Sequence, residues 1–540
     1  MISKAYKIAL FILLCLAGFS TFAQRFDIEF QQCYGGSDHE WIVDFCMLED
    51  SSYMLLAITY SSDGDISFLH GSCDFWLVHV DKMGALIWEK TLGGSEWDDP
   101  TSISMTSNGD LLIFGDSFSN DGDVSGNHGG SDLWVVRTDI SGNIIWQKCI
   151  GSSVSDFASE MIVDSLDNIY TIGYSHGIDG DITENNGLTD YWVAKLDPNG
   201  ALIQQRSFGG EGYDYGHCIS LTPDGGCIIG GSVQSNYGDV ECDGPTYIEG
   251  DVWVVKLDSL FNIQWKKCYG GSYHESVAHI QVLENGGYLL SGNTNSNDGD
   301  VSGFHGEPGG DYHDIWVIKI DSVGNMEWQR CLGGTKQEFS TSSTVSYNDE
   351  YIISGVTSSH NGDVSGNHSA NIAFDMWLVG LDNDGSLLWQ QCFGSSRENS
   401  SSKTLFLSEL GIFTGGSASY SDGSVDCDIF HPSPPGDADL WLFQIIDTLS
   451  VNSPKYRIEA SIIIIYPNPA SDIIYYYIKE KIPDPTLFVY NFYGQKAGEY
   501  KLEKHQNQIE IDVSNFISGV YLAILYSDHE IVDRRQFVVK

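Results

Sequence analysis

The sequence predicts an all-β chain: a seven-bladed β-propeller followed by a small Ig-like β-sandwich. Three observations carry this. An Asp-x-Trp pattern recurs with its Trp at 76, 134, 192, 253, 316, 377 and 441, at spacings of 58, 58, 61, 63, 61 and 64. A Gly-Gly-Ser marker, or a near variant, begins at Gly35, Gly93, Gly151, Gly209, Gly270, Gly333 and Gly394. The 540 residues include 59 Gly and 12% aromatics but only 13 Pro, a composition of short strands and tight turns. Self-similarity at a fixed period marks a repeat architecture.

The chain opens on Lys4 and Lys7, an apolar run from Ile8 to Phe19, and small residues around Ala23. This is the pattern of a secretory signal over residues 1–23, too short for a comfortable membrane span. After it, Phe30 to Gly36 aligns with Trp88 to Gly94, the fourth strand of a repeat and its Gly junction. The last repeat, after Trp441, lacks that strand. The N-terminal strand is therefore expected to complete the last blade and close the ring over residues 26–447.

Residues 101–150 are the type unit. Ser102 to Thr106, Leu111 to Phe114, Leu133 to Thr138 and Asn143 to Cys149 read as strands, bounded by Asn-Gly, Asp/Gly and Ser-Gly turns. The third strand, Leu133-Trp134-Val135-Val136, is apolar on both faces and so lies between two layers. Four such strands per repeat, stacked about an axis, make a propeller.

Charge concentrates in the repeats. Residues 25–451 hold 63 Asp and Glu against 15 Lys and Arg, while the whole chain carries a net −47. That field opposes nucleic acid and anionic membrane surfaces as partners. The loop between the second and third strands carries Asp-Gly-Asp in four repeats, at 63–65, Asp121 and Asp123, 179–181, and Asp298 and Asp300. An acid also stands five residues after the first junction Gly: Glu40, Asp98, Asp156, Asp214, Glu275 and Glu338, with Asn399 in the last repeat. Either these acids accept backbone N–H bonds and tie turns and blades, or some Asp pairs bind Ca²⁺. No copy completes a Ca²⁺ loop with a distal Glu. His70, His128, His305 and His368 track the repeat, which points to a structural role.

Catalytic and binding sites are asymmetric, so departures from the repeat are the places to look. Three longer loops depart: 241–250 with Tyr247, 304–313 with His305, Tyr312 and His313, and 427–438 with Phe430 and His431. Mixed aromatic and polar loops on a rigid ring suit recognition of a protein or glycan. The alternative is an extracellular polysaccharide hydrolase or lyase, its carboxylate pair hidden among the many acids. No nucleophile elbow, zinc motif or phosphate loop is present. Cys33, Cys149, Cys268, Cys331 and Cys392 share one repeat position, filled elsewhere by Thr91 and Ser207. They read as small buried residues and not as disulfides. A Cys73–Cys427 bridge is a separate expectation at the ring seam.

Residues 448–461 read as a linker, and 462–540 change in charge and lose the repeat. Apolar runs at 462–466, 473–478, 487–490, 509–513, 520–526 and 537–539 predict a small antiparallel sandwich. Tyr466-Pro467-Asn468-Pro469-Ala470-Ser471-Asp472 resembles the opening of the type A sorting domain of the type IX secretion system. Val489 to Gln495, with Gly494, resembles its middle block. Ser518-Gly519-Val520-Tyr521-Leu522 resembles its third block, and the chain ends, like that family, on an apolar-basic strand at Lys540. The resemblance implies recognition by the type IX machinery, with the product secreted or held on the outer-membrane surface.

Overall fold

The computed structural model describes residues 26–48, 50–235, 237–242, 250–346, 350–369, 373–395, 397, 399–401, 404–406, 411–419 and 438–447. In the tail it describes 463–466, 473–478, 486–491, 496–501, 508–514, 516, 519–527 and 530–539. The chain divides into two compact units, Met1–Ile446 and Asp447–Lys540.

The described residues of the first unit form seven four-stranded sheets, six of them running in chain order from one edge to the other, as in a β-propeller. The first blade is Glu40–Met47, Tyr53–Thr59, Asp74–Val80 and Leu86–Leu92. The seventh is Thr404–Phe406, Ile412–Ala418 and Asp439–Asp447, completed on its outer edge by Phe26–Tyr34 from the N-terminus. The repeated Trp shows why that register is correct. Trp76, Trp134, Trp192, Trp316 and Trp377 are buried in third strands, and each indole N–H donates to a Glu or Gln thirteen residues on in the fourth. Trp441 donates instead to Gln31 of the N-terminal strand, at 2.9 Å. Phe26 adds two backbone bonds with the Gln391 side chain, at 3.1 and 2.8 Å. In the fourth blade the matching residue is Lys266, which has no lone pair to offer, and the Trp253 indole N–H is left without an acceptor.

The core is cut into slices between blades. One slice joins Ile42 and Phe45 of the first blade to Phe413, Leu440 and Leu442 of the seventh, so the first and last sheets pack together. Each inner strand of the first six blades carries a β-bulge near its middle, between Ile42 and Asp44 in the first and Pro100 and Ser102 in the second. A bulge frees backbone groups and re-aims side chains. The freed positions are tied to the next blade: Asp44 accepts from Ile103 N–H at 3.0 Å, Ser102 from Met161 N–H at 3.1 Å, and Glu160 from Ile219 N–H at 2.8 Å.

The acid repeats do a second job at the blade junctions. Asp98 is fully buried; its carboxylate accepts from Gly94 N–H at 2.7 Å and from the hydroxyls of Ser117 and Ser119. Asp74, the Asp of Asp-x-Trp, accepts from His70 N–H and from its Nδ1, both at 2.7 Å. Gly93 sits between the two acids: a Cβ there would lie 2.5 Å from Asp74 Oδ1 and 2.8 Å from Asp98 Oδ2. The same contact recurs at the other junctions, and in the seventh it falls between Asp375 and Asn399. This close approach is why the junction marker is Gly.

One cysteine reading is corrected. Cys268 is bridged to Cys242, with Cα atoms 5.4 Å apart. Cys242 follows Gly238-Asp239-Val240, a turn that other blades share, and stands where they hold Gly126, Gly303 and Gly366, so the bridge reflects one substitution at a repeated position. Cys149 and Cys331 are buried free thiols, and so is Cys73; Cys427, its expected partner, lies outside the described residues. The tail unit is two antiparallel sheets around Ile474, Tyr476, Leu487, Val489, Ile511, Val513, Ala523 and Leu525.

Candidate functional site at the mouth of the propeller

The inner strands start on the face that carries the blade junctions and the loops joining second and third strands. An acid begins the inner strand in each of the first six blades, where it is followed by Trp41, Asp99, Phe157, Tyr215, Ser276 and Phe339; in the seventh blade Ser400 follows Asn399. The acids are the same from blade to blade; these neighbours are not. They join aromatic side chains from adjoining turns into three arcs. His39 stacks on Trp41 at 5.5 Å, Trp41 meets Tyr60 edge-on at 5.6 Å, and Tyr60 meets Trp97 at 5.9 Å. Phe157 stacks on Tyr174 at 5.3 Å, Tyr174 meets Tyr215 at 5.1 Å, and Tyr215 stacks on Tyr213 at 6.3 Å. His274, His313, Phe339 and Phe374 form the third arc, with centroids 5.7 to 6.1 Å apart. Trp97 is 53% exposed, and Trp41, Phe118, Tyr213 and Phe339 are also exposed.

Between the first and second arcs lies a carboxylate pair. Asp99 and Asp116 are direct cross-strand partners in the second blade. Asp116 is buried, accepts from Ser131 Oγ at 2.9 Å, and is pushed up to about 7 by burial and then by the charge of Asp99. Burial also raises Asp99. The positions matching Asp116 hold Ile58, Tyr174, Ser232, Asn293, Val356 and Ser417, so the pair breaks the repeat.

Below the mouth is a cavity of about 340 Å³ walled by inner-strand residues of all seven blades, from Ile42 to Ser401. Its wall mixes hydroxyls, among them Thr101, Ser159, Thr341 and Ser401, with apolar Ile42, Val43 and Ala278 and the imidazole of His217. His217 is held down to about 4 by burial and then by His274, which leaves the ring neutral at pH 7.

The residues singled out in the sequence fall into three groups. His313 joins the third arc, and Tyr312 beside it is 42% exposed. The Asp-Gly-Asp residues are occupied with backbone: Asp121 accepts from Ser95 N–H at 2.8 Å and Asp298 from Ser272 N–H at 2.7 Å. Asp123 and Asp300 accept from Gly93 and Gly270 N–H at 3.4 and 3.3 Å. These acids thus hold the junction strand segment more than their own turn. His305 is likewise committed, its Nδ1 at 2.6 Å from Asp314 and its Nε2 at 3.7 Å from Asp363 of the next blade. Tyr247, Phe430 and His431 lie outside the described residues. In the tail, Tyr521 is buried against Phe516, and Gly519 opens its strand. Tyr466 ends the first strand of the tail. Pro467, Asn468, Pro469, Gly494 and Lys540 lie outside the described residues. Among the described residues no helix is long and apolar enough to cross a membrane.

No curated protein matches the sequence. Three solved structures illustrate the likeness in fold. One is a protein of unknown function from Bacteroides caccae, 11% identical over 59% of this chain and 90% of that one, with a TM-score of 0.33. Another is the WD40 domain of Neurospora crassa Pan2, 12% identical over 61% and 92%, with a TM-score of 0.31. A third is a fungal alcohol oxidase in complex with copper, 10% identical over 95% and 99%, with a TM-score of 0.46. The family model described as the secretion system C-terminal sorting domain matches residues 464–540. These residues cover the sandwich and all three motif blocks except its first two positions. Residues 464–540 are thus a type IX sorting tail, and the chain is a protein exported by that system to the cell surface or the extracellular space.

Proposed function

We propose that the propeller is a binding module that holds a glycan at the aromatic mouth. The observation that carries this reading is the run of exposed, mutually braced aromatic faces from His39 to Trp97, with two further arcs around the same axis. A sugar ring has an apolar C–H face that packs on such a surface, and its hydroxyls need a few fixed polar partners, here Asp99 and the cavity wall. Rings that touch one another lose little freedom on binding. Titration of the secreted protein against neutral oligosaccharides tests it. Trp97→Ala and Trp41→Ala should each weaken binding about tenfold or more with melting unchanged, and full affinity in both variants rejects the mouth as the site.

The off-repeat pair Asp99 and Asp116 favours one second reading, a polysaccharide hydrolase or lyase. Two neighbouring carboxyls, one pushed up to about 7 by burial and the charge of the other, suit the division of acid and base roles that glycosidic cleavage needs. If it holds, incubation with polysaccharide releases new chain ends, and Asp116→Asn abolishes the release while leaving binding intact. Absence of any cleavage by the parent protein leaves the pair as a binding contact.

A further inference from the structure

We infer that the mouth binds a chain end, and that the cavity beneath it receives the terminal residue of a neutral glycan. This rests on the glycan reading of the mouth and specifies its substrate class.

The wall decides the mode of entry. It is made of one inner strand from each blade, and those strands are cross-linked: Asp44 to Ile103, Ser102 to Met161, Glu160 to Ile219, and His279 Nδ1 to Ser343 Oγ at 2.9 Å. A polymer cannot enter such a ring from the side. It can lie across the mouth, or it can enter along the axis by an end. The volume of about 340 Å³ is at the low end for ligand pockets and suits a short terminal piece and not a folded-back segment.

The lining decides the chemistry. The bulges of the second, third and sixth blades place Thr101, Ser159 and Thr341 just below the aromatic arcs, with Ser401 beside Thr341, while Val43 and Ala278 hold the same place in the first and fifth. The one imidazole with a poor partner is His217, whose Nε2 is 3.5 Å from Ser232 Oγ. The Ser159 hydroxyl donates to the Gly216 carbonyl at 2.7 Å and keeps its oxygen as an acceptor, and Thr341 and Ser401 share a bond at 3.2 Å; with the neutral imidazole they offer uncharged partners to the hydroxyls of a sugar. The acids at the same depth, Asp44 and Glu160, already accept blade-linking N–H bonds, and among the described residues no Lys or Arg lines the cavity. A uronate or sulfated sugar would meet the negative charge of Asp44 and Glu160 and should bind more weakly than a neutral one.

The experiment uses the full secreted protein and a panel of neutral cello-, xylo-, manno-, malto- and chito-oligosaccharides of two to seven units. The best binder is then offered in a form capped with bulky groups at both ends. Capping is expected to reduce affinity at least tenfold, and Ser159→Trp, which fills the cavity, should do the same to the uncapped ligand. Thr101→Tyr from the neighbouring blade serves as a second cavity-filling variant should the first fail to fold. Equal affinity for capped and uncapped ligand overturns end insertion while leaving the mouth reading intact, provided Trp97→Ala still abolishes binding. No binding by any neutral oligosaccharide overturns both.

Discussion

Gly93 has a carboxylate oxygen on either side of the place where a side chain would begin, so its lack of a Cβ is a packing requirement. Gly93→Ala should destabilise the propeller by about 1–3 kcal/mol, the usual range for overpacking, because the obstructing atoms are buried Asp74 and Asp98. Urea unfolding measures it; an unchanged midpoint means the junction relaxes freely. The same acids set the response to pH. Burial, and then neighbouring acids, push Asp98 up to about 6 and Asp190 and Asp251 up to about 7; burial chiefly pushes Glu338 to about 7. Between about 4, where such groups ionise in the unfolded chain, and about 7, the folded state binds more protons. Stability from these groups is therefore full at low pH and is lost as pH rises through 6 to 7. His217 acts oppositely: its folded value of about 4 makes stability rise with pH from about 4 to about 6.5. The four acids outweigh the one histidine, so thermal melting should occur at a higher temperature at pH 5.5 than at pH 8.5. Asp251→Asn should narrow the gap, and a gap of the reverse sign rejects the account.

The loop joining second and third strands shows what an aspartate does in a repeated element. Asp121 Oδ1 accepts from Ser95 N–H; in the sixth blade Asn361 Oδ1 accepts from Thr335 N–H at 2.9 Å from the same position. An amide oxygen performs the task, so the charge is not what the loop needs. We expect Ca²⁺, Mg²⁺ and NaCl of equal ionic strength to give the same melting temperature. A rise specific to Ca²⁺ and lost in Asp121→Asn with Asp123→Asn would instead mark these loops as Ca²⁺ sites, worth about 2.7 kcal/mol at a hundredfold excess over Kd. Such elements were legible in the sequence because they repeat: strands, junctions and the closing strand all recur at one spacing. The mouth was much less legible. Trp41, Phe157, Tyr215 and Phe339 occupy one position in four blades while Asp99, Ser276 and Ser400 fill it in others, so no motif unites them. Length differences drew attention to loops such as 304–313, yet the variation that builds the site is in side chains flanking an unvarying acid. Cys268 was misread because its partner Cys242 stands at a turn position that holds Gly126, Gly303 and Gly366 in other blades, so no recurring spacing marked the pair.

At the scale of the molecule, propeller and tail are separate compact units with separate cores. Removing 466–540 should leave a propeller with the parent's melting temperature that accumulates in the periplasm. Cell fractionation decides it, and release of the truncated protein to the medium rejects the tail as the export signal. The acids crowded into the propeller also fit its destination, since a strongly negative surface resists nonspecific association outside the cell.

The seam at Trp441 has a consequence in time. In five other blades the indole of the third strand finds its partner thirteen residues away; at the seam the partner, Gln31, is 410 residues away. By the logarithmic cost of closing a loop, the distant bond is dearer by about 3 kcal/mol of chain entropy. The earliest strand to be synthesised is then the last to dock, and it waits through the folding of six complete sheets with its partner edge uncovered. Once docked, that strand is held at its start by Phe26 against Trp389 and Gln391.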